Sequence, residues 1–433
     1  MTRTLTLSIT LLLGATLATA QPSPGGLTLD AAIAEALAAS HRLAEIGARG
    51  DAAEATVALR AAANAPLVSA VAGYTRTNHV DEFGVPQPDG RLRIIYPDIP
   101  DNYRTRLDLQ WPVYSGGRSN ALERAAEAER TAVAADLETA RADLRLEVAR
   151  AYWAVVTAGE SARVVDEALA RAEAHLADIR ARDAAGLVSP HEVAAVDAHR
   201  SRQRMLLIEA RNLHLSAQAA LARLLGRPVD QPLQLSEPLA HPRVQAPDLA
   251  IAADRPERAA LLARLSAADS RVAAAEAGRK PTVSLGGGLD YASPNPRLFP
   301  RQDAWKTSWD VSVQASWLLW DGGRTRAESA QASALASAER ARLAELDSLV
   351  QTEVRQRTLD LASSGAAVEA ATDALASAEE ARRVVANRFD AGVATSTDVL
   401  DAQLAQLQAE LDRTRALANV RLAEARLARA LGR

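Results

Sequence analysis

The chain of 433 residues repeats itself about 206 residues apart, and that repetition most restricts what it can fold into. Trp111-Pro112-Val113-Tyr114-Ser115-Gly116-Gly117-Arg118 recurs as Trp317-Leu318-Leu319-Trp320-Asp321-Gly322-Gly323-Arg324. Gly186-Leu187-Val188-Ser189 recurs as Gly392-Val393-Ala394-Thr395, and Leu225-Gly226-Arg227 as Leu431-Gly432-Arg433. One offset serves all three pairs, so no net insertion separates the copies over this span. Upstream, Pro66 pairs with Pro281 and Gly73 with Gly288 at an offset of 215, so the first copy carries nine extra residues between its two β-like segments. A period this long is a domain-scale duplication, not a solenoid repeat. It predicts a pseudo-twofold protomer whose halves do the same structural job.

Residues 1–20 read as a secretory signal: Arg3 charges the n-region, Leu7 to Leu17 is apolar, and Ala18-Thr19-Ala20 is a cleavage site. The chain has no Cys, hence no disulfide framework and no lipidation cysteine. A net charge of −4 gives no reason to expect nucleic-acid binding. Beyond the signal no run of 18 apolar residues occurs, so no membrane-spanning helix is expected. A secreted chain of this kind enters a membrane only as a closed β-barrel.

Residues 28–63 read as one helix with Asp30 as N-cap, stopped by Pro66; 67–76 read as strand and 77–102 as loop. In 103–113, Thr105, Leu107, Leu109 and Trp111 share one face, and Arg104, Arg106, Asp108 and Gln110 the other. The second copy follows suit: strand at 282–291, Pro-rich loop at 292–304, then Trp309, Val311, Val313, Ala315 and Trp317 alternating with Asp310, Ser312, Gln314 and Ser316. The apolar sets are expected to face lipid and the polar sets water. Aromatics are only 3% of the chain, yet Trp111, Trp305, Trp309, Trp317 and Trp320, with Tyr74, Tyr96, Tyr103, Tyr114 and Tyr291, lie in or beside these strands. Aromatics near strand ends with apolar-out alternation are the signature of an outer-membrane barrel.

Segments 118–226 and 324–432 read as helix almost without interruption, with heptad-like small apolar positions such as Leu137, Ala140, Leu144, Val148, Ala151 and Val155. Each stretch before its turn would be roughly 100 Å long at a rise of about 1.5 Å per residue. Gly186 and Gly392 end those helices, and Ser189 with Glu192, and Thr395 with Asp398, are placed to form capping boxes on the returning ones. The expected organisation is a β-hairpin at 67–113, a helical hairpin at 114–226 with its tip at 186–190, a Pro-rich link and helix at 227–280, a second β-hairpin at 281–320 and a second helical hairpin at 321–433 with its tip at 392–396. Residues 21–66 precede these. Four strands cannot close a barrel, so several chains must pool theirs: two would give eight strands, three twelve.

This pattern resembles the TolC family of outer-membrane efflux proteins over essentially the whole mature chain. The resemblance rests on the two Gly-Gly-Arg turns, the two tips, the stretch from Arg388 to Gln403, and Ala253-Asp254-Arg255-Pro256-Glu257 as a connector into the second half. It implies a mainly α protomer of duplicated long helical hairpins plus four strands. Three copies would form a homotrimer with a twelve-stranded transmembrane β-barrel, continued by a periplasmic α-helical barrel with an equatorial belt built from 21–66 and 227–280. It implies a passive exit duct in the outer membrane, joined through a periplasmic adaptor to an inner-membrane pump of RND or ABC type.

Residue by residue, the resemblance makes Asp398 and Asp401 the aspartate pair of the closed periplasmic mouth. It makes Gly186, Leu187, Val188 and Ser189, with Gly392, Val393, Ala394 and Thr395, the adaptor-docking tips. Trp111, Tyr114, Trp305, Trp309, Trp317 and Trp320 are the expected membrane-interface aromatics. Where some members carry a gate-locking Tyr and Arg, this chain has Phe389 and Ala394, facing His191 and Glu192 of the first tip, so that lock is not expected here. Gly286-Gly287-Gly288 lies in a strand and is no dinucleotide fingerprint. The scattered His and the absent Cys point to no metal or cofactor, and no nucleophile–base pair points to an enzyme. The alternative reading is a periplasmic coiled-coil scaffold or adaptor; two hairpins, each opened by a strand pair, favour the duct.

Overall fold

The computed structural model describes residues 26–240 and 255–432. The signal read at 1–20, part of the Pro-rich link and Arg433 lie outside the described residues. The elements run α1 (Leu29–Ala39), α2 (His41–Ala62), β1 (Leu67–Arg76), β2 (Phe83–Pro86), β3 (Leu92–Tyr96), β4 (Asp101–Tyr114), α3 (Arg118–Ala184), α4 (Pro190–Leu224), α5 (Pro256–Glu276), β5 (Thr282–Ser293), β6 (Lys306–Ser316), α6 (Arg324–Asp390) and α7 (Ser396–Ala430). The repeat is carried into the elements: α3 and α6 have 67 residues each, and α4 and α7 have 35 each.

Three local features differ from the sequence expectation. The helix expected over 28–63 is broken at Ser40, whose hydroxyl accepts from the Leu43 N–H at 3.3 Å and starts α2 afresh. At the head of α1 it is the Thr28 hydroxyl, not Asp30, that accepts from the Ala31 N–H. The loop expected over 77–102 contains the β2–β3 hairpin. Its turn is closed by Gly90 N–H to Gln87 O at 2.9 Å and Gln87 N–H to Arg91 O at 2.8 Å, with Gly90 at φ +81°. The flanking strands are so short that the Pro, Gly and Asp between them hid the alternation.

The described chain forms two compact units. One holds the antiparallel sheet, ordered β1-β4-β5-β6. The β4–β5 pairing joins the two copies of the repeat across α3, α4 and α5. Register carries the alternation from strand to strand: Val68, Leu109, Gly287 and Val311 form one row, and Ala70, Leu107, Leu289 and Trp309 the next. Successive side chains point to opposite faces, so these rows share one face while Arg104, Arg106, Asp108, Asp290 and Asp310 share the other. Among the described residues β1 and β6 each pair on one side only, leaving both edges of the sheet open. Alanines 260, 263, 267 and 274 of α5 are buried, and arginines tether that helix: Arg258 to Asp347 at 2.8 Å, Arg271 to Glu129 at 2.8 Å, and Arg264 to Asp136. Arg255 in the expected connector is buried, bonding Glu353 at 2.7 Å and Glu257, which also holds Arg429.

In the other unit, residues 26–36 meet the start of the Pro-rich link. Leu27 bridges Leu235 in parallel, Tyr152 donates its hydroxyl to Leu27 O at 2.9 Å, and Arg227 grips Glu35 through two bonds of 2.6 Å. The helices of this unit pack through two clusters. Val164, Val165, Ala168, Leu207 and Leu407 form one, and Leu176, Ile179, Val196, Phe389 and Val399 the other.

Candidate functional site

The two helical tips are built alike. Gly186 and Gly392 take φ +73° and +72°, the left-handed geometry that glycine adopts without strain. Leu187 N–H bonds Arg182 O and Val393 N–H bonds Arg388 O, both at 2.9 Å, closing the same six-residue loop at each helix end. A side-chain atom at either glycine would meet open space. Leu187 and Val393 are exposed, whereas Val188 and Ala394 turn inward onto the second cluster.

The helix starts after the tips differ. Thr395 and Asp398 form the reciprocal box: Asp398 Oδ2 accepts from the Thr395 N–H and hydroxyl at 2.8 Å each, and Thr395 Oγ1 accepts from the Asp398 N–H at 3.2 Å. The Thr395 amide bond holds the Asp398 carboxyl below the usual carboxylate range. Asp401 lies one turn on and is exposed. The box expected from Ser189 and Glu192 does not form. Ser189 Oγ lies 2.5 Å from His191 Nδ1 instead, and Pro190 at the first helical position leaves no N–H there to satisfy.

Phe389 packs against Arg182 and His175, while His191 is exposed. Phe389 is buried, with the Arg182 guanidinium 4.4 Å over its ring and the His175 imidazole edge-on at 5.4 Å. Arg182 also bonds Asp390 at 3.2 Å and Asp178 at 2.9 Å. His175 is itself buried, with Nε2 at 3.1 Å from Ser396 Oγ at the start of α7. Sequence reading passed over His175. Its one legible signal was that His175 and Arg182, seven residues apart, share a helix face.

Burial pushes the His175 imidazole below its ordinary value; Asp178 opposes that, and Arg182 and His199 add to it. A base whose folded value is depressed loses stability as pH falls below its unfolded value of about 6.5, until it reaches the folded value. The tip packing is therefore expected to be firmest at neutral pH. Protection factors for amide exchange in 385–400, corrected for the intrinsic slowing of exchange at lower pH, should fall between pH 7.5 and 5, and His175→Gln should flatten that dependence while His199→Gln, at a half-buried imidazole also pushed below its ordinary value, tests the neighbour. Equal loss of protection in wild type and His175→Gln would exclude His175 as the cause.

On the polar face of the sheet, Asp290 is 0% exposed and accepts from Arg104 Nε at 2.6 Å and from Arg106. Arg106 also bonds Asp108 at 2.6 Å and reaches Asp310 at 3.2 Å. Gly288 makes this possible, since a Cβ there would occupy the space of the Arg106 guanidinium. On the opposite face aromatics form two bands. Trp305 stacks on Tyr291 at 4.8 Å and lies near Tyr103, which contacts Tyr74. At the other strand ends, Trp111 donates to Asn64 O at 3.1 Å and Trp317 to Arg279 O at 3.0 Å. Tyr114, Trp309 and Trp320 are exposed.

A sheet with one exposed apolar face, a charged opposite face and two open edges, joined to duplicated helical hairpins, is the protomer fold of an outer-membrane channel. The sequence profile of the family described as "Outer membrane efflux protein" matches residues 32–227 and 249–433, and the chain belongs to that family. Protein CyaE of Bordetella pertussis is 29% identical over 306 residues, which cover 69% of this chain and 64% of that protein's length. Among solved structures, the outer membrane protein VceC of Vibrio cholerae matches with TM-score 0.81 at 22% identity, covering 93% of this chain and 96% of its own. CusC, described in terms of transmembrane channel formation, matches with TM-score 0.82 at 18% identity over 96% and 95%. The fold is therefore that of long helical hairpins and a strand contribution to a β-barrel.

Proposed function

We propose that the chain is the outer-membrane exit duct of a tripartite efflux or type I secretion machine, a passive conduit from periplasm to exterior without enzymatic activity. One observation carries the reading furthest: the four-stranded sheet exposes a continuous apolar face and two open edges, which only lipid and further copies of the chain can satisfy. Three copies supply twelve strands and a lumen lined by the Arg–Asp face. A periplasmic scaffold would have no use for such a face. In this duct the tips Gly186–Ser189 and Gly392–Thr395 receive the adaptor, the pump is of RND or ABC type, and Asp398 with Asp401 rings the periplasmic mouth with six carboxylates.

Planar-bilayer recording of the assembled protein tests this. Wild type should conduct and prefer cations. Asp398→Asn with Asp401→Asn should bring the cation-to-anion permeability ratio toward unity, while the Thr395 hydroxyl still caps α7. A protein that never conducts is not a duct, and unchanged selectivity in the double variant removes the aspartates from the mouth.

A further inference from the structure

The connection between β5 and β6, residues 294–305, lies at the strand ends remote from the helix connections, and it folds onto the charged face of the sheet. Three side chains pin it there. The Asn295 amide, 2% exposed, donates to Lys306 O at 2.9 Å and Ser308 Oγ at 3.0 Å. Arg297 bonds Asp310 at 2.6 Å and approaches Asp290 at 3.9 Å, joining the loop to the Arg104–Arg106 pair around the buried Asp290 carboxylate. Arg301 donates to Asn102 Oδ1 at 2.9 Å and to the Tyr96 hydroxyl at 3.2 Å, tying the loop to the other crossover at the same end. Pro294, Pro296 and Pro300 restrict its backbone. Between the loop and the sheet remains a cavity of about 430 Å³, bordered by Gly73, Arg104, Arg106, Asp108, Pro294 and Arg301. Leu298 and Phe299, between the anchors, are exposed.

We propose that this loop is a constriction at the outer mouth of the duct, held over the lumen wall by the arginine–aspartate cluster, and that it sets the largest cargo that leaves. The inference rests on the duct reading above. The charged face is the lumen face, so a loop bonded to it narrows the lumen rather than extending the wall outward. Three copies bring three such loops into one bore, each presenting Leu298 and Phe299. Apolar side chains in a narrow pore hinder the passage of water and ions. The ion pairs are networked around a carboxylate shielded from water, where each bond supports its neighbours. The loop is therefore a held element of the wall, and its release requires several bonds to break together.

Polymer exclusion in planar bilayers tests this with the full chain. Poly(ethylene glycol) of graded size is added to one compartment at a time, and the largest polymer that lowers the conductance is recorded. Because the chain has no Cys, Asn295→Cys with Ser308→Cys gives one protein whose loop is locked when oxidised and freed when reduced. Arg297→Gln cuts the outer anchor while leaving Arg104 and Arg106 on Asp290 in place. Reduced double-cysteine protein and Arg297→Gln should admit larger polymers than wild type or oxidised protein from the outer side. From the periplasmic side the cut-off should stay the same. An identical outer cut-off in all four would overturn the constriction, as would an equal shift from both sides, which would indicate general loosening. Wild type without any conductance would instead sink the duct reading, and this inference with it.

Discussion

Val311→Arg is expected to destabilise the inserted barrel by about 2–4 kcal/mol, the cost of a lipid-facing arginine near the bilayer midplane. Val311 is the sixth of eleven residues in β6, is 67% exposed in the protomer, and stands in the apolar row with Gly287, Leu109 and Val68. Gln314→Arg, three residues on and therefore on the opposite face, should change stability little, because water and other charges surround it. Urea midpoints of the protein folded into vesicles give the comparison. Equal effects of the two substitutions would mean that the apolar face does not meet lipid.

Tryptophan at both tip glycines is expected to abolish export while leaving folding intact. A Cβ at Gly186 or Gly392 meets no neighbour within van der Waals reach, so bulk there is not a packing fault. The positive φ adds some strain, of order 1 kcal/mol for a residue other than glycine, which a helix of 67 residues tolerates. What changes is the close approach of a partner to the exposed backbone and to Leu187 and Val393. The readout is cargo export in cells beside crosslinking of each tip to the adaptor, with Gly186→Ala and Gly392→Ala separating backbone strain from bulk. Export and crosslinking that survive both tryptophans would place adaptor docking elsewhere on the protein.

The contrast between the two tips shows where local rules stop. Both have a Ser or Thr with an acidic residue three positions on. The structure forms the box at Thr395 and Asp398 and not at Ser189 and Glu192, because His191 captures the Ser189 hydroxyl. Phe389 was legible as the residue at the lock position, but its partners were not. His175 comes from the other half of the chain, and its bond to Ser396 spans 221 residues. The cap that occupies Asp398 was legible as a Thr with an acidic residue three positions on, and the structure forms it.

By itself the sequence determined the duplication, the strand alternation, the paired glycine turns and the lengths of the long helices. Each of these is set by residues close together in the chain, through a period of two, a period near 3.6, or one backbone angle that glycine alone takes easily. Only the tertiary structure decided that β4 pairs with β5, that Gly288 is small so that Arg106 can reach Asp290, that the 294–305 loop lies against the charged face, and that His175 rather than His191 supports Phe389. Those contacts join residues far apart in sequence. They depend on strand register and on the rotation of long helices about their axes, and a shift of one residue in either would give each of these side chains a different neighbour.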